Sequence, residues 1–180
     1  DEMKFKKKQK IKKAIPSDHG VNTGWTNSMG DGVAVLEPIS FTTGNYEIDG
    51  QVGGGPNSFT SGHGIKITSN ADRTKIVNIL NPVSNLAFNH IEMKYDFKPG
   101  QLGQDIIYGV KGGSNWTFKN SYLHHSSRTI LYTMNVSNIL IENSQLERNG
   151  LNQNQHSEIW SSRTTDNVAI KNSVIKDYVS

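Results

Sequence analysis

The sequence predicts an all-β chain folded as a parallel β-helix, a solenoid of stacked coils, and three observations carry that expectation. The first is a recurring phrase in which an Asn leads an apolar alternation that closes on a polar pair. It reads Asn85-Leu86-Ala87-Phe88-Asn89-His90, Asn115-Trp116-Thr117-Phe118-Lys119-Asn120, Asn138-Ile139-Leu140-Ile141-Glu142-Asn143 and Asn167-Val168-Ala169-Ile170-Lys171-Asn172, with a weaker copy from Asn45 to Gly50. The starts lie 40, 30, 23 and 29 residues apart, a period typical of supersecondary units that bury their apolar faces only by stacking. The second is that these stretches alternate at period two, which excludes a helical solenoid. A β-propeller would need blades of about 40–45 residues, longer than most of these spacings. The third is composition: 19 of 180 residues are Asn, a residue that tolerates left-handed backbone at sharp corners.

The chain is long enough for one domain with a substantial core, and two regions are expected. Residues 1–18 form a basic segment with seven lysines between Lys4 and Lys13; without them the net charge falls from +3 to −4. A helix between Met3 and Ile15 is one reading of this segment, and a solvated lysine tail another. It lacks the interleaved aromatics and arginines that favour nucleic acid. Residues 19–180 form the β-helix domain, Gly-rich at first, with a strand at Val33–Leu36 and regular coils from about residue 40. Insertions are expected at 53–64, 71–84 and 95–104. No run approaches the ~20 apolar residues of a membrane span. The absence of Cys removes disulfides and thiolate metal sites.

Aligning the repeats gives columns. Leu86/Trp116/Ile139/Val168, Phe88/Phe118/Ile141/Ile170 and Met93/Leu123/Leu146/Ile175 are assigned inward. His90/Asn120/Asn143/Asn172 falls at a corner, where side-chain amides could bond from coil to coil. Two further columns, Lys94/His124/Glu147/Lys176 and Tyr95/His125/Arg148/Asp177, are assigned outward. A third strand carries Ile107-Tyr108, Leu131-Tyr132 and Ile159-Trp160. Placing the isoleucines and leucine inward turns Tyr108, Tyr132 and Trp160 outward beside Glu158, since the opposite choice buries Glu158. An exposed aromatic row suits the apolar faces of sugar rings; a loop or second chain could equally cover it.

With the Asn corners, the alternation and the coil length together, residues 40 to 180 resemble the pectate-lyase-like superfamily of right-handed parallel β-helix proteins. The resemblance implies a right-handed helix and an extracellular or cell-surface location. It leaves activity open, because lyases, hydrolases, tailspikes, adhesins and spacers share this fold. Recognition of a polysaccharide, with lyase chemistry ahead of hydrolysis, is the leading expectation. A non-catalytic surface, adhesion or assembly protein is the alternative.

Polar residues able to do chemistry crowd between residues 124 and 163, including three of the six histidines. The candidate catalytic residues are His124, Arg128, Glu147, Arg148, His156, Glu158 and Arg163, with Tyr108, Tyr132 and Trp160 as candidate substrate-binding residues. A lyase needs a base beside the acidic proton and a cation for the developing charge. His124 or His156 with Arg128, Arg148 or Arg163 would supply both. A glycosidase needs two carboxylates, here Glu147 and Glu158. His124 and His125, adjacent in a strand, are expected to point to opposite faces. Asp-rich calcium clusters are missing, and no metal-ligand spacing is seen, so no cofactor is assigned and calcium alone stays open. The last repeat ends at Ser180 on ordinary interior residues, which leads to the expectation that further sequence or another chain covers that end.

Overall fold

In the computed structural model, residues 9–12, 32–96, 105–150 and 158–179 are described. Their fold is all-β, with every strand pairing parallel and no helix among the described residues. A short strand, β1 (Gln9–Lys12), comes first. Each repeat then lays down three strand segments: β2 (Ala34–Leu36), β3 (Ile39–Phe41) and β4 (Tyr46–Asp49), followed by β5 (Ile65–Ser69), β6 (Val77–Ile79) and β7 (Val83–Asn89), then β8 (Ile91–Tyr95), β9 (Asp105–Gly109) and β10 (Gly113–Lys119). In the next repeat β11 (Tyr122–His124) leads into one long strand, β12 (Thr129–Glu142); β13 (Gln145–Gly150), β14 (Trp160–Lys171) and β15 (Val174–Val179) follow the same plan.

Equivalent segments pair with their counterparts one repeat away. One sheet runs β15-β13-β11-β8-β5-β2. The other runs β1-β4-β7-β10-β12-β9-β6-β3, with β14 on the outer edge of β12. Because β12 pairs β10 through its second half and β9 through its first, it joins two strand stacks that are separate in the earlier repeats. The bend inside it falls at Asn135 (φ 53°), and that inside β14 at Thr164 (φ 50°). The core fills the space between the stacks, and it is a single apolar cluster.

The three inward columns are in the register that the repeat phrase dictates: Leu86–Trp116–Ile139–Val168, Phe88–Phe118–Ile141–Ile170 and Met93–Leu123–Leu146–Ile175. Phe88 and Phe118 stack in parallel at 5.4 Å. Apolar burial of this kind contributes roughly 25 cal/mol per Å², so each column stabilises the fold only where a neighbour lies on both sides. At the last repeat that ceases to hold.

The leading Asn of each repeat sits in left-handed backbone (φ 68°, 61°, 60°, 58° and 52° at Asn45, Asn85, Asn115, Asn138 and Asn167). Its side-chain amide donates to the preceding Asn, at 2.8 Å (Asn85 to Asn45), 2.9 Å (Asn115 to Asn85), 3.0 Å (Asn138 to Asn115) and 3.1 Å (Asn167 to Asn138). The amide ladder therefore runs at the start of the phrase. At the corner expected to carry it, the contact seen is Asn120 Nδ2 with His90 Nε2 at 3.4 Å. What that corner does carry is serine. In Asn120-Ser121, Asn143-Ser144 and Asn172-Ser173 the hydroxyl donates to the carbonyl two residues back, each at 2.8 Å. It also accepts an amide N–H from the preceding repeat, at 3.3 Å from Ile91, 3.1 Å from Ser121 and 3.1 Å from Ser144. Buried hydroxyls are tolerated because both capacities are used.

Three expectations need correction. The lysine segment is not helical over its described part: Gln9–Lys12 adds a parallel strand to β4, and Lys10 bridges Glu47 (3.2 Å) and Asp49 (2.9 Å). The expected insertion 71–84 contains β6 and the start of β7, whose Val77-Asn78-Ile79 is too short to announce itself by periodicity. Tyr95 and Arg148 are buried, not outward. They follow the outward Lys94 and Glu147 directly, and strand residues alternate between faces.

Candidate functional site

Two side-chain columns of the six-stranded sheet point away from the core, Val35–Lys66–Glu92–Tyr122–Gln145–Val174 and Thr68–Lys94–His124–Glu147–Lys176; within them Tyr122, Gln145 and His124, the last expected to be exposed, are buried by their neighbours. Neighbouring repeats lie one strand spacing apart, about 4.8 Å, so side chains in adjacent rungs meet. His124 Nε2 lies 3.1 Å from Glu92 Oε1, and Lys66 Nζ lies 3.5 Å from the same oxygen. The Tyr122 ring stacks on His124 with centroids 3.7 Å apart. The Tyr122 hydroxyl donates to Glu147 Oε2 at 3.0 Å, and Gln145 Nε2 donates to that oxygen at 2.5 Å. Lys94 pairs with Asp96 at 2.5 Å, and Thr68 donates to the same carboxylate at 2.7 Å.

His124 and His125 do not diverge as their adjacency suggested. β11 ends at His124, and His125 takes left-handed backbone (φ 56°), which swings its ring back so that Nδ1 of one imidazole contacts Nδ1 of the other. That contact sets the protonation pattern. If His124 donates from Nε2 to Glu92, the other nitrogen of the neutral ring is an acceptor. His125 must then donate from Nδ1, which leaves its Nε2 as the basic nitrogen of the group. Burial pushes the pKa of His124 down against the pull of Glu92. Burial, helped by His124, does the same to His125. Glu92 is held below the ordinary carboxylate range chiefly by the His124 hydrogen bond. These directions keep Glu92 a carboxylate and both imidazoles neutral at neutral pH, the state in which a ring nitrogen can act as a base.

The connection after β11 is shorter than those of the adjoining repeats. Residues 125–128 span it, whereas residues 96–104 and 151–159 connect the corresponding strands on either side. At its end Arg128 Nη1 bonds Asp105 Oδ2 at 3.1 Å. Asp105 is buried, and burial raises its carboxyl pKa despite Arg128 and Lys75.

The candidates fall into separate places. His124 and Glu147 share the outer face of the six-stranded sheet, and Arg148 lies buried behind it. Arg128, Tyr108 and Tyr132 belong to the β9–β12 side. There the two tyrosine rings stack at 5.5 Å, with Lys75 over Tyr108 at 5.0 Å and Arg128 over Tyr132 at 5.3 Å. Their ring faces are thus turned toward protein neighbours. Trp160 leaves the row altogether: it pairs with Leu131 rather than Tyr132, packs against the core and donates from Nε1 to Thr133 Oγ1 at 3.0 Å. Counting back from the leading Asn foretells this shift, since Trp160 precedes Asn167 by the same interval as Leu131 precedes Asn138. Glu158 and Arg163 are exposed near the β14 edge, and His156 lies outside the described residues.

Sequence reasoning missed Glu92, Tyr122 and Gln145, which sit in ordinary strand positions, and Asp105, the partner of Arg128. Register alone exposes them, because each becomes the rung beside a candidate. Among the described residues no group of three or more His, Asp or Glu side chains is arranged to hold a metal ion, and no helix is long and apolar enough to cross a membrane. Comparison of the chain with protein-family models, curated proteins and solved structures gives no match.

Proposed function

We propose that the chain is a right-handed parallel β-helix of the pectate-lyase-like kind that recognises an acidic extracellular polysaccharide and cleaves it by β-elimination. The observation supporting this reading is the Glu92–His124–His125 line, with His124 buried and Glu92 and His125 half-buried, on the side of the sheet away from the core. In the proposed step His125 Nε2 takes the proton from the carbon beside a uronate carboxylate. The electron pair forms a carbon–carbon double bond as the glycosidic C–O bond breaks, and the leaving oxygen takes a proton from water. Glu92 and His124 fix the tautomer of His125. Lys94, in the same column as His124, is the cation proposed to stabilise the developing negative charge.

The test is ultraviolet absorbance of unsaturated products during incubation with a panel of acidic polysaccharides. Wild-type protein should generate them, and His124→Ala and His125→Ala should each lower the rate by at least ~100-fold with unchanged circular dichroism. A wild-type protein silent on every polymer would remove the lyase reading.

One observation favours a second reading, a non-catalytic surface or assembly protein. Charges pair along the columns: Lys66 with Glu92 at 3.5 Å, Lys119 with Glu142 at 2.8 Å, and Lys10 with Glu47 and Asp49. Such pairing is ordinary cross-strand stabilisation. Retention on an immobilised polysaccharide without product formation would select it.

A further inference from the structure

The Gly-rich connection between β4 and β5, residues 50–64, folds back onto the corner of the repeats that follow it. His90 Nδ1 donates to the Gly53 carbonyl at 2.6 Å, and the Asn120 side-chain amide reaches the other nitrogen of the same ring at 3.4 Å. Gly54 lies against this corner in left-handed backbone (φ 69°), where a Cβ would sit 2.1 Å from the Asn120 carbonyl oxygen. Only glycine permits so close an approach. The two ends of the connection are tied to each other: Gly54 N–H donates to the Ser61 carbonyl at 3.0 Å, and Gly64 N–H to that of Val52 at 2.9 Å. No side chain of residues 50–64 belongs to the apolar core cluster, so polar contacts and close backbone packing hold this segment, the kind that opens at little cost.

Beneath it lies His63, 3% exposed. The same Cβ on Gly54 would fall 2.7 Å from His63 Nε2, so the ring is covered by the backbone of its own connection. Neither ring nitrogen has a hydrogen-bond partner among the described residues. Protonation in place would bring a second N–H donor and a charge into a seat that pairs neither. The groups facing the ring are Glu92 of β8, His90 and the Asn120 carbonyl at the corner, and His124 of β11. Burial is the largest influence on the ring and lowers its pKa to about 4; His90 and His124 act in the same direction, while Glu92 and the Asn120 carbonyl oppose them. In water the ring takes its proton near pH ~6.5. The neutral ring keeps its seat, and the charged ring gains by leaving it.

We propose that residues 50–64 are a proton-released strap, seated on the His90–Asn120 corner by neutral His63 and lifted from it, with the coils beneath intact, when His63 is protonated. This rests on the packing of the connection and not on the lyase reading.

Native-state amide exchange of the whole chain, corrected for the intrinsic pH dependence of exchange, tests it. A ring that protonates near ~6.5 when free and near 4 when seated shifts the opening equilibrium by up to about 300-fold. Protection across 51–63 should therefore fall at least ~30-fold between about pH 7 and about pH 4.5, while protection of Leu123 and Leu146 persists. The His63 ring protons should titrate with the same midpoint as that fall. His63→Gln, which carries no titrating ring, should show no such fall. Gly54→Ala should leave the strap unprotected already at neutral pH, because its Cβ has no room against Asn120. Equal protection at the two pH values, separate midpoints for ring and strap, or the same fall in His63→Gln would overturn the proposal. So would a matching loss of protection at Leu123 and Leu146, since acid would then be unfolding the coils and not releasing a strap.

Discussion

Replacing Asn115 separates two reasons for asparagine at the start of each repeat. Its backbone is left-handed (φ 60°), and its side chain bonds both ways, donating to Asn85 at 2.9 Å and accepting from Asn138 at 3.0 Å. Alanine removes both bonds, worth together about 1–2 kcal/mol at an exposed site. It also places a Cβ in left-handed backbone, at about 1–2 kcal/mol. Asn115→Ala should therefore destabilise by roughly 2–4 kcal/mol. Glycine loses the same bonds but accepts the backbone, so Asn115→Gly should cost about 1 kcal/mol less, even after its greater freedom in the unfolded chain is counted. Urea titrations followed by circular dichroism and tryptophan fluorescence would measure both, with coincident curves required before a two-state free energy is taken. Equal losses for the two variants would refute the backbone part of the reasoning. Losses below ~0.5 kcal/mol in both would show that the ladder contributes little.

Other expectations follow from burial and titration. Leu146→Ala should cost about 2–5 kcal/mol as a cavity substitution, whereas Ile175→Ala in the same column, at the exposed edge, should cost under ~1 kcal/mol in the same urea titration. His63 is buried, neither ring nitrogen has a hydrogen-bond partner among the described residues, and burial lowers its pKa to about 4 against the opposing pull of Glu92. The unfolded chain therefore takes up that proton first as pH falls. Stability present above about pH 6.5 should drop toward pH 4 by up to about 3 kcal/mol and then level off. His63→Gln should show a shallower fall in urea midpoint across that window; an unchanged slope would remove His63 as the cause.

Repeat geometry was legible because it is written redundantly. Four copies of one phrase fix which residues stack, so Leu123 beneath Leu146 and Phe88 beneath Phe118 follow from counting. β3 and β6 were hidden because three residues give no measurable alternation. The site was harder for a related reason. Glu92 and His124 are 32 residues apart, and only strand register makes them neighbours. His125 was misplaced because alternation was extended one residue beyond the end of β11, where a positive φ reverses the direction. Trp160 was misplaced because a dipeptide resemblance, Leu-Tyr to Ile-Trp, was preferred to the interval from the Asn. That interval is not universal either: Tyr108 pairs with Tyr132 although they precede Asn115 and Asn138 by seven and six residues. The turn between β9 and β10 takes up the extra residue, with Gly112 and Gly113 at φ 88° and 141°.

The Asn and Ser rungs explain why the chemistry gathers where it does. They tie each repeat to the next through side-chain amides at one corner and hydroxyls at another, so the grid does not rest on the outward positions alone. Residues at those positions can vary from rung to rung without disturbing the grid. The repeat from Asn115 to Asn138 is the shortest, because its second connection is cut to residues 125–128. Shortening that connection brings His125 back onto His124, and it brings Arg128 to the buried Asp105, within a single turn. A longer connection would separate the imidazoles, since it is the left-handed residue directly after the strand that folds the second ring onto the first. The compact turn and the histidine pair are thus one feature. An insertion of two or three glycines between His125 and Ser126 should leave Leu123 and Leu146 packed while returning the pKa of both imidazoles toward the ordinary histidine value, as histidine proton chemical shifts across a pH titration would register. Persistence of the lowered values would mean that burial by other elements, and not the turn, sets the state of the pair.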